Sequence, residues 1–265
     1  MSAIVDNPFL LFVVSLLLQW MATYAGRVVR RRRPMGDDER EEIVTVLNAA
    51  LTLLALLIGF SLAMAVGRFD QRETYEEAEG NAIGTAYLRA DLMPPVPAAH
   101  VHALLVSYTK ARILYFEERD PLRLDRIDAE TERLQGELWD TIAAAAGAQP
   151  TATMTLVVSS ANEVIDAQGF TQASWSNRIP IAVWVLMLLV AVACNALLGR
   201  TETRVSGATL LVLPVLLSVS LFLIADIDSP RVGIISVVPN NLVAALRSLP
   251  PRPAPGTASA PAAAN

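Results

Sequence analysis

Four long apolar runs, none holding a Lys, Arg, Asp or Glu, constrain this chain more than any other feature. They cover residues 9–26, about 43–66, 179–198 and about 208–225. A hydrocarbon layer of about 30 Å is crossed by about 20 residues of helix, each rising about 1.5 Å. Every run is long enough to cross it. Barrel strands would alternate apolar and polar residues over about 10 positions, whereas these runs are continuous. The predicted class is an all-α polytopic membrane protein with four transmembrane helices, and the lipid bilayer is its first partner. Composition agrees, with 53% hydrophobic and 18% charged residues where a soluble domain carries about a quarter charged. The formal charge of −5 argues against nucleic acid, because binding phosphates needs a basic face.

The first run is read as an anchor rather than a cleaved signal. Residues 1–8 hold no Lys or Arg, and residues 23–26 make a poor cleavage site. Orientation follows from the arginines. Arg27, Arg30, Arg31, Arg32, Arg33 and Arg40 lie between the first two runs, and Arg200 and Arg204 between the last two. Only Arg68, Arg72, Arg178 and Arg231 flank the opposite side. Lys and Arg near span ends set topology, while Asp37, Asp38, Glu39, Glu41 and Glu42 count for little. The expectation is a multi-pass protein of the inner (plasma) membrane, with its N-terminus outside and the 27–42 loop cytoplasmic. The same arginines offer a second reading, as a site for anionic lipid headgroups.

Five regions follow. Residues 1–66 hold the first transmembrane pair and 179–225 the second. Between them, residues 67–178 carry 10 Lys or Arg against 17 Asp or Glu, a formal charge of −7. No proline interrupts residues 35–92, so the second span is expected to continue as helix to Leu92 until Pro94, Pro95 and Pro97 stop it. Further helices are expected over 98–118, 125–146 and 151–176. Together they form an acidic antiparallel bundle inserted between spans two and three and lying outside the cell. Residues 226–249 form a post-membrane segment with a short surface helix. There Asn240 is the expected cap, and Leu242, Ala245, Leu246 and Leu249 share a face. Residues 250–265, made mostly of Pro and Ala, read as a disordered tail.

The second span carries the most informative pattern. Ala55, Gly59, Ala63 and Gly67 recur every four residues, and Asn48 and Thr52 extend the stripe. Small residues at this spacing let helix backbones approach closely. Two readings stand: packing among the four spans, or a subunit interface or pore wall. The four runs hold no ionisable group other than Cys194 and tyrosine, which counts against a proton-coupled pump. Pro214 is expected to kink the fourth span, with Ser218 serving the carbonyl it leaves unpaired. Asp226 and Asp228 mark either the water boundary or an acidic ring in an oligomer. His100 and His102 point to divergent helix faces and read as solvated. Glu73, Glu76, Glu77 and Glu79 read as a solvated acidic face, with Arg72 and Glu76 spaced for an ion pair. Cys194 is expected to be inert in its apolar surroundings. No spacing suggests a metal site, a cofactor or a catalytic constellation, so the chain is not read as an enzyme.

The run Ile58-Gly59-Phe60-Ser61-Leu62-Ala63-Met64-Ala65-Val66-Gly67-Arg68-Phe69-Asp70 carries a resemblance. It is followed by Arg72, by Glu76-Glu77-Ala78 and by Asn81-Ala82-Ile83-Gly84-Thr85-Ala86-Tyr87-Leu88-Arg89. Ser107-Tyr108 with Arg112, Asn162-Glu163 with Asp166, and Pro180 add to it. The chain resembles the bacterial bestrophin-like membrane protein family over nearly its whole length to about Asn241. That resemblance implies a pentameric ion channel, hence a homo-oligomer, with small ions as the permeant species. It also implies that the second span lines the pore, with Asn48, Thr52, Gly59, Phe60, Ala63 and Gly67 as pore-side candidates. In bestrophins the helical domain is cytoplasmic and the ions are largely anions. The arginine count here places that domain outside, and its −7 charge favours cations. The alternative function is a non-conducting membrane anchor whose helical segment binds a partner or senses envelope state.

Overall fold

The computed structural model of the protein describes residues 7–201 and 209–249. Arg204, the start of the fourth run at Ala208 and the 250–265 tail lie outside the described residues, as do residues 1–6. Among the described residues the structure is all helical: α1 (Pro8–Arg32), α2 (Asp37–Arg89) with a 3-10 turn (Ala90–Leu92), α3 (Pro95–Glu117), α4 (Pro121–Ala148), α5 (Ala152–Ser176), α6 (Ile181–Thr201), α7 (Thr209–Asp228) and α8 (Asn240–Ser248). Four segments are long and apolar enough to cross a membrane: Pro8–Arg32, Asp37–Leu92, Ala152–Thr201 and Thr209–Asp228. The protein is an integral membrane protein.

The ends of the helices differ from the sequence-based boundaries for local reasons. Helix α1 does not stop at Gly26 but continues to Arg32. Arginine is a good helix former, and cations suit the negative end of the helix dipole. The stop comes just before Pro34, as pre-proline geometry requires. The loop expected over 27–42 therefore shrinks to residues 33–36, because α2 begins at Asp37 with three acids in its first turn. Helix α2 then runs unbroken for 53 residues, through Gly80 and Gly84. The proline cluster also starts a helix. Pro95 opens α3, where its missing N–H costs nothing. Asn7, Asp120 and Thr151 cap α1, α4 and α5 by accepting from Leu10, Leu122 and Met154 amides at 3.1–3.2 Å.

The chain divides into two compact units, Met1–Asp70 with Asn177–Ser236 and Gln71–Ser176 with Val237–Asn265. In the first, α1 packs on α6 and α7. Its core gathers Leu11, Leu54, Ala65, Trp184, Met187, Ala191, Leu221 and Ile224. Helices α1 and α6 meet backbone to backbone. A Cβ on Gly26 would stand 2.1 Å from the Ala196 carbonyl oxygen, and one on Gly199 would stand 2.1 Å from that of Thr23. Only glycine fits at either position. A polar ladder crosses the same three helices: Gln19 Nε2 donates to Ser218 Oγ at 3.0 Å, and Asn195 Nδ2 donates to Gln19 Oε1 at 3.0 Å. Ser218, expected to serve the helix around Pro214, here accepts from a partner on α1.

In the second unit α3 packs on α4 and α8, and α4 on α5. Tyr115, Phe116 and Trp175 form one aromatic cluster. Helix α8 starts after Pro239, so Asn240 is its first residue rather than its cap. The face expected to lie on a lipid surface instead buries Leu242 within this unit, and Gly80 gives α8 room: a Cβ there would lie 3.2 Å from the Asn241 backbone.

Candidate functional site

Within the first unit, α2 has two unlike faces. Leu47, Leu54, Ser61 and Ala65 are buried, whereas Asn48, Thr52, Ala55, Gly59, Phe60, Ala63 and Gly67 are all exposed. A Cβ added at Gly59 or Gly67 would meet nothing within 4 Å. The stripe is therefore not used for packing within the described residues, and the close crossing that small residues permit occurs at Gly26 and Gly199 instead. Sequence reasoning overlooked that pair. Each of these two glycines stands alone on its helix, and nothing in the sequence links residues 173 positions apart.

The open side of α2 is mixed: large apolar side chains, Val46, Leu53, Leu56, Met64 and Val66, are exposed beside the small and polar stripe. Helix α1 exposes Val13, Leu17, Trp20 and Tyr24 outward. The α2 stripe instead presents an amide, a hydroxyl, two alanines and two glycines. Thr52 Oγ1 donates back to the Asn48 backbone carbonyl at 2.9 Å, and the Asn48 side chain is exposed. Phe60, 61% exposed, is the one bulky side chain among the candidates.

The two carboxylates after α7 are internal braces. Asp228 pairs with Arg68 at 3.2 Å and accepts from the Ile179 amide at 3.1 Å. Asp226 accepts from the Ile234 and Ile235 amides at 2.8 and 2.9 Å. Gly233 adopts φ +155°, where a Cβ would lie 2.5 Å from Asp226 Oδ1. Both acids are buried, so the acidic-ring reading is overturned: their oxygens are occupied by this turn and by Arg68.

The remaining candidate residues of α2 belong to the second unit, and there the solvated-acid reading is half corrected. Glu73 and Glu77 are exposed, but Glu76 and Glu79 are buried. Glu76 accepts from Asn241 Nδ2 at 2.6 Å and from the Leu242 amide at 2.8 Å, so it holds the first turn of α8. Glu79 meets Arg112 through Nε at 2.5 Å and Nη2 at 3.2 Å, with the Tyr108 hydroxyl at 3.4 Å. The Arg112 guanidinium also lies 4.5 Å over the Tyr115 ring. Burial, reinforced by the Glu79 charge, pushes the Tyr108 phenol up. For Arg112 burial pulls down, yet Glu79 outweighs it and the guanidinium is held charged. The missed signal was spacing: Glu76 and Glu79 share the inward face with Ile83 and Tyr87.

Arg72, also buried, donates to the Ser174 carbonyl at 3.4 Å. Arg89 reaches the Leu156 carbonyl at 3.3 Å and Glu163 at 3.8 Å. Asn162 Nδ2 donates to Asp166 at 2.9 Å on an exposed face. Asp70 and Asn81 are exposed, and Gly84 is half-buried. His102 corrects its solvated reading: it is buried, and its Nε2 donates to the Tyr87 carbonyl at 3.0 Å. Sequence periodicity did not reveal this because His100, two residues away, is exposed. Among the described residues no three His, Cys, Asp or Glu side chains stand together as a metal site.

A family profile described as a bestrophin-like domain matches residues 9–242. Among curated proteins, none matches the chain. The fold is similar to the crystal structure of a bacterial bestrophin homologue from Klebsiella pneumoniae, at 15% identity and a TM-score of 0.67, covering 89% of this chain and 96% of that one. A point variant of that homologue matches at 14% identity and a TM-score of 0.66, over 90% of this chain and 97% of that one. A variant crystallised as a membrane protein matches at 14% identity and a TM-score of 0.67, over 89% of this chain and 97% of that one. At these identities the likeness is one of fold.

Proposed function

The chain belongs to the bestrophin-like family, and from that premise we propose that it assembles as a homo-oligomeric ion channel in which α2 lines the pathway. The observation that carries the proposal is the open stripe Asn48, Thr52, Ala55, Gly59, Ala63 and Gly67. Against hydrocarbon, an exposed amide costs several kcal/mol and glycines leave unfilled grooves. Against water, or against the same helix of a second copy, the stripe is well matched. Phe60 then sets the bulk of the narrowest level, and Arg68 with Asp228 ties α2 to the end of α7 within the first unit.

Cations are the proposed permeant class, because α2 leads into a segment of charge −7 whose exposed Glu73 and Glu77 repel anions. The proposed orientation keeps the arginine count: residues 27–42 in the cytoplasm, the N-terminus and the acidic helical segment outside. Reporter fusions at Gln135 and at the C-terminus test it, and a cytoplasmic signal from Gln135 reverses it. Conductance in planar bilayers tests the channel. The oligomer is expected to conduct, and Gly59→Leu, which puts an isobutyl group where nothing now lies within 4 Å, is expected to cut the current. Ion-tight bilayers containing verified oligomer refute the proposal and leave the anchor reading in its place.

A further inference from the structure

The arginines that set topology separate, in the structure, into two sets. Arg30 Nη1 donates to the carbonyls of Arg200 and Thr201 at 2.8 and 2.9 Å, and Arg40 Nε to that of Thr201 at 3.1 Å. These two close the C-terminal end of α6, where unpaired carbonyls and the dipole attract cations. Arg200 in turn pairs with Glu39 at 2.6 Å. The side chains of Arg27, Arg31, Arg32 and Arg33 make no hydrogen bond or ion pair with any described residue.

Because α1 continues as helix to Arg32, the place of these guanidiniums is fixed by its pitch. At 3.6 residues per turn, Val13, Leu17, Trp20, Tyr24, Arg27 and Arg31 fall on one stripe. It lies opposite the face that buries Leu11, Ser15, Gln19, Ala22 and Gly26. Trp20 is 49% and Tyr24 61% exposed. The stripe passes from aliphatic to aromatic to guanidinium over about 27 Å of helix. One leaflet presents the same order: acyl chain, interface, phosphate.

We propose that this stripe binds one anionic phospholipid, with Arg27 and Arg31 donating to the headgroup phosphate, Tyr24 lying against the glycerol region and Trp20 against the upper acyl chains. A guanidinium fork matches two phosphate oxygens at once. A negative headgroup complements the arginines that no intramolecular carboxylate engages. Asp37 and Asp38 stand nearby in sequence but occupy the first turn of α2, where its dipole favours them, and Glu39 is held by Arg200. A soluble phosphate would leave Leu17, Trp20 and Tyr24 without an occupant, whereas a lipid covers them with the rest of the same molecule. The inference is independent of whether the protein conducts.

The test uses the full chain in phosphatidylcholine vesicles doped with brominated phosphatidylglycerol or brominated phosphatidylcholine. Quenching at Trp20 is read as the difference between the protein and its Trp20→Phe variant. Phosphatidylglycerol is expected to be enriched at Trp20 by about fivefold for each guanidinium. Arg31→Gln should remove one such factor and Arg27→Gln/Arg31→Gln both, while Arg126→Gln on α4 should remove none. Equal quenching by the two lipids in the unaltered protein overturns the proposal and needs no variant to be folded. So does enrichment that survives Arg27→Gln/Arg31→Gln. Loss of enrichment on adding soluble glycerol phosphate would mean that phosphate alone is recognised, and would overturn the lipid as occupant.

Discussion

Gly199→Ala is the sharpest test of how the membrane-spanning unit is held together. The added methyl carbon would stand 2.1 Å from the Thr23 carbonyl oxygen and 2.9 Å from its carbon, all backbone atoms. Carbon and oxygen settle at about 3.3 Å or more, so α1 and α6 must separate by about 1 Å. Overpacking of this kind costs about 1–3 kcal/mol. The same separation stretches Asn195 Nδ2 to Gln19 Oε1 from 3.0 Å and Arg30 Nη1 to the Arg200 carbonyl from 2.8 Å. Interhelical hydrogen bonds in membranes average about 0.6 kcal/mol each. Replacing glycine within a helix returns about 1 kcal/mol. The net expectation is a loss of about 1–3 kcal/mol. Gly59→Ala gains the same helix term and meets nothing within 4 Å, so it should be neutral or stabilising. Unfolding by sodium dodecyl sulfate in mixed micelles, followed by near-UV ellipticity, measures both. A Gly199→Ala midpoint at or above that of Gly59→Ala would refute the backbone crossing.

Three further outcomes are expected. Asn195→Leu removes the link between Gln19 and α6 and strands the Gln19 carbonyl oxygen in a dry interior; a loss of about 1 kcal/mol is expected in the same micelle titration. Glu79→Gln leaves the Arg112 charge buried without its counter-ion, at a cost of about 3–5 kcal/mol. Arg112→Met added to Glu79→Gln should restore part of that loss, and a double-mutant cycle summing to zero coupling would contradict the pair. Asp226→Ala deprives the Ile234 and Ile235 amides of their acceptors, so hydrogen exchange at those two sites should speed up while α1 exchange stays slow.

The four spans were legible because a charge-free run of about 20 residues has few other uses in a helical chain. The α3–α5 helices were legible to within a few residues from their 3.6-residue spacing and the prolines between them. The buried acids were not. Glu76 and Glu79 lie in the same run as exposed Glu73 and Glu77, and a composition of four acids in seven residues reads as solvated until their helical phase is matched to Ile83 and Tyr87. Their partners, Leu242 and Arg112, are supplied by α8 and α3, far along the chain. The same holds for Gln19 and Asn195, which look like isolated polar residues in two separate runs and pair only when those helices cross.

The glycines carry the remaining lesson, because the sequence presents two kinds that the structure treats in opposite ways. A crossing of two inclined helices brings their backbones together over about one turn, so it needs one small residue on each: Gly26 and Gly199. The α2 residues repeat every four positions from Ala55 to Gly67, about 18 Å along one helix. No single inclined crossing uses so long a stripe, and within the described residues none does. A stripe of that length is matched by a partner running alongside it or by a water column. A channel built of several copies provides both around its axis. On the proposed channel, bulky substitution along the α2 stripe should therefore harm assembly and conductance more than folding, while for Gly26 and Gly199 the folded chain itself should fail first.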